Sequence, residues 1–353
     1  MKTLKMGVIL LALLLAAMVM VPMVNAAEAT AQDALPMNPA IIDASKIQIP
    51  KLQIDDTQPN VIVNHQFEVN ESTTVSPVTG QLQQSSDQTF TKIPVGAIIY
   101  HYQSGITRVF DKQGTQILSA NDKESPLEFT PGGDEKPATF ICSVSNGAFI
   151  NYQGNITYVN DKSGKLILTI IDESLDHGSK STQTSAGIMS APEWRGWIED
   201  AQSNVNQITQ FDTYWNVPTK PPAMESGKAV FLFNGIQPPD DSLGILQPVL
   251  SFYPEHNGQN WYGEAWVYNK TGSDIIGLRL QVLPGDPLKG RILRTSDGSS
   301  WYVEFDNLRT GETSAVYSNL IPRTNNLMVT TALEATQHSY TAKDGIIRIA
   351  PPG

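Results

Sequence analysis

The sequence is poor in cysteine, in charge and in histidine, and each shortage closes off a class of function. A single cysteine, Cys142, stands among 353 residues. No disulfide framework and no cysteine-rich zinc module can be built from it. Charged residues make up 17% of the chain, below the ~25% usual in soluble domains. Acids outnumber bases 35 to 24, for a net charge of −11. That balance excludes a nucleic-acid surface, which needs a basic patch. The five histidines (His65, His101, His177, His256, His338) are too dispersed for a metal site. No His-Glu-x-x-His, Gly-x-Ser-x-Gly elbow or phosphate-binding glycine loop occurs. No metal or cofactor is expected. Tryptophan is missing from the whole first half; all six lie between Trp194 and Trp301.

Long apolar runs are also missing, except at the N-terminus. Residues 1–26 read as a secretory signal: Lys2 and Lys5 precede an apolar run from Met6 to Val24, and Ala26 ends a small-residue cleavage site. Its removal takes two lysines and no acid, so the mature charge becomes −13. The expected location is secreted or extracellular, with cell-surface association open, and no transmembrane domain in the mature chain. Cys142, in the apolar stretch Phe140-Ile141-Cys142, is expected as a buried small hydrophobe. Three sequons, at Asn70, Asn155 and Asn269, fit a glycoprotein.

Residues 27–90 read as a linker or loosely ordered segment with one or two strands, such as Asn60-Val61-Ile62-Val63. Residues 91–175 hold an internal repeat, with copies at about 93–125 and 144–174. Tyr102-Gln103, Ile106-Thr107, Val109, Asp111-Lys112, Gly114 and Ile117-Leu118 return 50 residues later as Tyr152-Gln153, Ile156-Thr157, Val159, Asp161-Lys162, Gly164 and Ile167-Leu168. Asp-Lys-x-Gly between β-branched runs is hairpin chemistry, so this block is expected to be a small β-hairpin-repeat domain without catalytic residues. A Ser, Thr and Gly-rich linker follows at 176–192. Residues 193–353 alternate with period two, as in Trp301, Val303 and Phe305 against Tyr302, Glu304 and Asp306. Many strands without helices imply a sandwich or barrel. Glu304 and Asp306 are expected on a solvated strand face.

Two strands have faces that do not build a core. One carries Gln247 and Ser251. The other presents Thr330, Ala332, Glu334, Thr336 and His338, with Leu333 and Ala335 on its opposite side. Such a face meets solvent or lines a groove; pattern alone favours solvent.

Trp194-Arg195-Gly196-Trp197, Phe211 to Pro218, Phe233 to Gln237, Ile245-Leu246-Gln247, Trp261 to Trp266, Gly285-Asp286 and Asn307 to Gly311 follow one another in an order and spacing by which residues ~190–345 resemble the glutamic peptidases of the eqolisin family. Trp194-Arg195-Gly196-Trp197 resembles the family's opening Trp-x-Gly strand, and Phe211 to Pro218 its segment ending in Val-Pro. Phe233-Asn234-Gly235-Ile236-Gln237, followed by Ile245-Leu246-Gln247, resembles its Trp-Val-Gly-Ile-Asp and Ile-Leu-Gln. Trp261, Tyr262, Glu264 and Trp266 resemble its aromatic strand. Gly285-Asp286 and Asn307-Leu308-Arg309-Thr310-Gly311 resemble two of its turns. Departures are Phe233 for Trp, Gln237 for Asp, Ser251 for Asp, and Thr330 and Thr331 in the catalytic strand.

The resemblance implies a two-sheet antiparallel β-sandwich of the concanavalin A-like jelly-roll kind. It also implies a catalytic pair, Gln247 and Glu334, with Phe233, Gln237, Ser251, Trp261, Glu264 and Trp266 around the substrate; by residue type alone, each clustered tryptophan reads first as core, since a sandwich needs bulky inward residues. Glu334 would take a proton from water and pass it to the leaving amine, while Gln247 orients the water and donates to the oxyanion. A carboxylate with a reference pKa of ~4.3 suits acidic conditions. The expected function is acid hydrolysis of peptide bonds in a polypeptide substrate. The alternative is a non-catalytic surface or adhesive protein that binds peptide or glycan through the same sandwich. A glycosidase is disfavoured by Arg309, where a third acid would stand.

Overall fold

The computed structural model describes residues 43–58, 60–61, 65–70, 90–173, 189–190, 196–205, 208–221, 228–240, 242–253, 260–322 and 326–335. The signal segment 1–26, most of the 176–192 linker, Ile62 and Val63 lie outside them. Among the described residues the fold is all-β, with two short 3-10 turns. No helix there is long and apolar enough to cross a membrane.

Two large sheets pack face to face. The first runs in the order Gly196–Val205, Leu327–Ala335, Val230–Gln237, Gly244–Phe252, Trp261–Asn269, Asp274–Ile276, Ile141–Ser143, Gln66–Asn70, Phe90–Pro94. The second runs Gln210–Asn216, Pro287–Arg294, Trp301–Asn307, Glu312–Ser318, Ala148–Gln153, Ile156–Asn160, Leu166–Asp172, Ala97–Tyr102, Ile106–Phe110, Gln116–Asn121. A small third sheet joins Met189–Ser190, Asp134–Pro137 and Leu127–Phe129.

Both repeat copies form three-stranded antiparallel meanders, for the reason their sequence suggested. In copy one the Asp111 carboxylate accepts from the N–H groups of Gln113 and Thr115, both at 2.9 Å. In copy two Asp161 accepts from Ser163 at 2.8 Å and Lys165 at 3.0 Å. Gly114 and Gly164 supply the positive φ of each turn, 86° and 87°.

The copies do not stand apart from the later strands. Leu166–Asp172 pairs in parallel with Ala97–Tyr102, Glu312–Ser318 with Ala148–Gln153, and Asp274–Ile276 with Ile141–Ser143. The described residues accordingly belong to one compact unit. The described strands after residue 195 pair with one another antiparallel; among the described residues, parallel ladders appear only where earlier strands join.

The core lies between the large sheets. Leu246, Ala265 and Val267 of the first meet Ile292, Val303 and Val316 of the second. Leu250, Phe252 and Trp261 meet Leu288 and Phe305. Gly263 is required here: a Cβ on it would lie 1.9 Å from the Phe305 ring. Each such large side chain contributes ~1.5–3 kcal/mol on burial.

A buried polar seam ties the early strands to the later ones. The Lys136 ammonium, fully buried, donates to Asp274 at 2.6 Å and to the carbonyls of Asn269 and Gly272 at 2.6 and 3.1 Å. His101 lies 3.0 Å from the Ser273 hydroxyl and 2.6 Å from that of Thr107, which donates to Asp122. Burial pushes the His101 imidazole down to about 3 and the Asp172 carboxyl up to about 7. Cys142 is buried and free, as expected, and burial raises its thiol. Asn269 is buried as well, with its side-chain carbonyl accepting from the Thr271 N–H, so the glycoprotein reading does not extend to that sequon.

Candidate functional site

The register of the first sheet fixes which side chains share the face turned away from the second sheet. Gln247 stands opposite Trp266, Val249 opposite Glu264, and Ser251 opposite Tyr262. On the other flank Phe233 pairs with Val249, and Phe231 pairs with both Ser251 and Glu334. Period-two alternation therefore puts Gln247, Ser251, Phe233, Gln237, Glu264, Trp266, Thr330 and Glu334 on one face.

Trp261 is a correction. It falls on the opposite parity and packs between the sheets with Phe252 and Phe305. The whole strand is buried on both sides, so its sequence lacks the polar alternation that would have marked the difference.

The solvent expectation for this face is also corrected. Gln247 and Ser251 are fully buried and Thr330 nearly so. A hairpin from the early part of the chain covers them. Its strands are Leu127–Phe129 and Asp134–Pro137, joined by Thr130-Pro131-Gly132-Gly133. Phe129 packs against the buried cluster that contains Phe231, Phe233, Val249 and Trp266. The Tyr253 hydroxyl donates to the Phe129 carbonyl at 3.2 Å. Glu304 is corrected too: rather than facing open solvent it is largely buried, and accepts from the Tyr302 hydroxyl at 2.6 Å.

The turn at the hairpin tip reaches the expected pair. Gly133 N–H donates to the Thr130 carbonyl at 3.2 Å, and Thr130 N–H to the Asp134 carbonyl at 2.9 Å. A β-turn closed this way leaves its middle peptide unit outside the hairpin's own bonds. That unit is Pro131–Gly132. Its carbonyl accepts from Gln247 Nε2 at 2.5 Å, and its N–H donates to Glu334 Oε2 at 3.2 Å. The peptide is trans, so these two groups point in opposite directions. Gln247 and Glu334 thus hold opposite edges of one peptide bond.

The pair does not sit on neighbouring strands. Val230–Gln237 runs between them, and Glu334 lies four residues along its strand from Thr330, which pairs with Gly235. The sheet lattice then separates their Cα atoms by roughly 15 Å. Side chains of this length meet through the inserted peptide unit rather than directly. Gln247 Oε1 is buried without a partner among the described residues, which leaves one strong acceptor in the site.

The remaining residues frame this point. The Glu264 carboxylate binds the Arg279 guanidinium and accepts from Trp266 Nε1 at 2.7 Å, so it serves as a fixed, paired charge. The Ser251 hydroxyl reaches the Tyr262 carbonyl at 3.4 Å. Tyr268 lies against Gly132 and its hydroxyl donates to Asp134. The Lys136 ammonium stands 4.4 Å from its ring centroid. Sequence reading passed over the turn, Tyr268 and Lys136. Thr-Pro-Gly-Gly is legible as a turn, but nothing local says that it inserts into a face formed more than a hundred residues later. No described group of three or more His, Cys, Asp or Glu is placed to hold a metal ion.

No protein-family model matches the chain, and no curated protein matches it. Among solved structures it is similar to scytalido-glutamic peptidase with a peptide-based transition-state analogue. The identity is 18% over 40% of this chain and 64% of that chain, with a TM-score of 0.30. It is similar also to the eqolisin peptidase SCP-B in a complex with the tripeptide Ala-Ile-His, at 18% identity, over 40% of this chain and 63% of that one, with a TM-score of 0.28. Peanut lectin with a nine-residue peptide matches at 9% identity, over 41% of this chain and 85% of that one, with a TM-score of 0.19. The chain spans less than two thirds of the length of the two peptidases.

Proposed function

We propose that the covered face is a peptide site and that the protein is an exported peptide-bond hydrolase of the glutamic type. The observation that carries this reading is the grip of Gln247 and Glu334 on the two polar edges of one peptide unit. An amide donor on the carbonyl oxygen is what a developing oxyanion needs. A carboxylate beside the peptide nitrogen is placed to deliver a proton to the leaving amine. The unpaired Gln247 Oε1 offers an acceptor to the attacking water.

In the reaction Glu334, as carboxylate, takes a proton from water while the hydroxide oxygen bonds to the carbonyl carbon. Gln247 Nε2 stabilises the charge that forms on the carbonyl oxygen. The C–N bond then breaks as Glu334 returns the proton to nitrogen, which leaves one acid and one amine. The turn must vacate the pair before a substrate enters.

A second reading is favoured by one observation. The strand Val230–Gln237 separates the pair, a spacing that suits holding a peptide as well as hydrolysing it. In that case the protein is a non-catalytic peptide binder. The two readings separate on denatured protein as substrate at pH 3–5. The hydrolase cleaves it, and Glu334→Gln and Gln247→Ala each abolish cleavage. Inactivity across pH 2–8 with saturable peptide binding would establish the binder instead.

A further inference from the structure

We infer that the site selects a Pro–Gly peptide unit in a β-turn, with Tyr268 excluding any side chain on the amine-side residue, and that Pro131–Gly132 is its resident occupant. This rests on the reading of Gln247 and Glu334 as a peptide site and names its ligand class.

Three features of the occupant fit the site, and the last two are not those of peptides in general. First, both polar edges of the bound unit must be free, and the middle unit of a closed β-turn meets that condition. Second, Gly132 has φ of +131°, a conformation that other L-residues rarely adopt. Third, the site is tight: a Cβ on Gly132 would lie 3.0, 3.1 and 3.2 Å from three atoms of the Tyr268 ring, which would have to give by a few tenths of an ångström. The occupant's own hairpin resists a shift of the ring. The Tyr268 hydroxyl is bonded to Asp134, and Lys136, itself locked to Asp274, lies over the ring face. Backbone conformation and pocket shape therefore select glycine independently. Proline precedes it at the turn position that wants φ near −65° and needs no N–H.

Because the occupant is tethered, it competes at an effective concentration in the millimolar range. A free peptide of the same sequence binds the wild-type protein poorly. Gly132→Ala sets the tip of the turn against Tyr268 and releases it from the pair.

The test is isothermal titration of full-length wild type and Gly132→Ala with a blocked Thr-Pro-Gly-Gly peptide and a blocked Thr-Pro-Ala-Gly peptide. Gly132→Ala is expected to bind the glycine peptide at least about tenfold more tightly than wild type does, and about tenfold more tightly than it binds the alanine peptide. Adding Tyr268→Ala lowers that preference but leaves the part set by the positive φ of the glycine, and a preference unchanged by Tyr268→Ala overturns the role of the ring. Equal affinity of Gly132→Ala for the two peptides, or no binding of either by a folded variant, overturns the inference. If Gly132→Ala does not fold, amide exchange decides on the wild type. A Gly132 N–H protected in wild type and exposed in Glu334→Ala supports the resident occupant; an unprotected one in wild type overturns it. Hydrolysis is not read in these experiments. An inactive protein that still prefers the glycine peptide ends the hydrolase reading alone, and an active one with no preference ends this inference alone.

Discussion

Gln247 and Glu334 are bridged by one peptide unit that belongs to neither of their strands. Gln247 donates to the Pro131 carbonyl at 2.5 Å and Glu334 accepts from the Gly132 N–H at 3.2 Å. The bridge makes the pair part of the packing as well as of the proposed chemistry. Gln247→Ala leaves the Pro131 carbonyl without its donor in a buried place, so a loss of about 1–3 kcal/mol is expected. Glu334→Gln keeps an acceptor for Gly132 and costs less than about 1 kcal/mol. Urea denaturation of the two variants checks this ordering.

Lys136 holds the hairpin to the sandwich through a fully buried ion pair with Asp274. Lys136→Met removes the cation and leaves a buried carboxyl. The expected cost is about 3–5 kcal/mol at pH 7. Burial already raises Asp274 to about 6, so the cost shrinks at pH 4, where that carboxyl is neutral. Denaturant midpoints at the two pH values test both size and direction.

Asp172 gives stability a pH dependence of the opposite sign to the usual carboxylate. Its folded pKa is raised by burial from 3.8 to about 7. Its stabilising contribution is complete below pH ~4 and is lost as pH rises through about 7. The carboxyl faces His101, Ser273, Lys136 and Asp274, all retained in Asp172→Asn. The stability of Asp172→Asn relative to wild type should therefore rise between pH 4 and 7, by up to about 4 kcal/mol, and level off above pH 8. His101, pushed down to about 3 by burial, stays neutral across this window in the wild type. A difference that is flat with pH would refute the assignment.

Gly263 tests the packing of the two sheets. A Cβ there would meet the Phe305 ring at 1.9 Å, and the sheets cannot separate without opening the core. Gly263→Ala is expected to cost about 1–3 kcal/mol or more. Gly263→Ala combined with Phe305→Leu should recover part of it, which a double-mutant cycle in thermal denaturation measures.

Local patterns in the sequence carried much of this structure. The Asp-Lys-x-Gly turns follow from a carboxylate that can cap two N–H groups and a glycine that can take positive φ, both set within five residues. The alternation around Glu334 separated its polar face from Leu333, which packs inward. Long-range relations were not legible. The turn that covers Gln247 lies 116 residues away from it in the chain, and Gly132 lies 202 from Glu334. The parallel ladders that fuse the repeat to the sandwich have no turn to announce them. Trp261 was misplaced because a strand buried on both faces shows no polar face to read. The polar face of the site was misread as solvent-facing because its cover comes from elsewhere in the chain.

The most direct measurement compares Gly132→Ala with Gly132→Ala/Glu334→Gln on a denatured protein substrate at pH 3–5, reading new peptide termini by mass spectrometry. With the turn displaced, the single variant should cleave the substrate faster than wild type, and the double variant should yield no new termini. A folded Gly132→Ala protein that produces none between pH 2 and 8, or a double variant that cleaves as well as the single, would contradict hydrolysis by this pair.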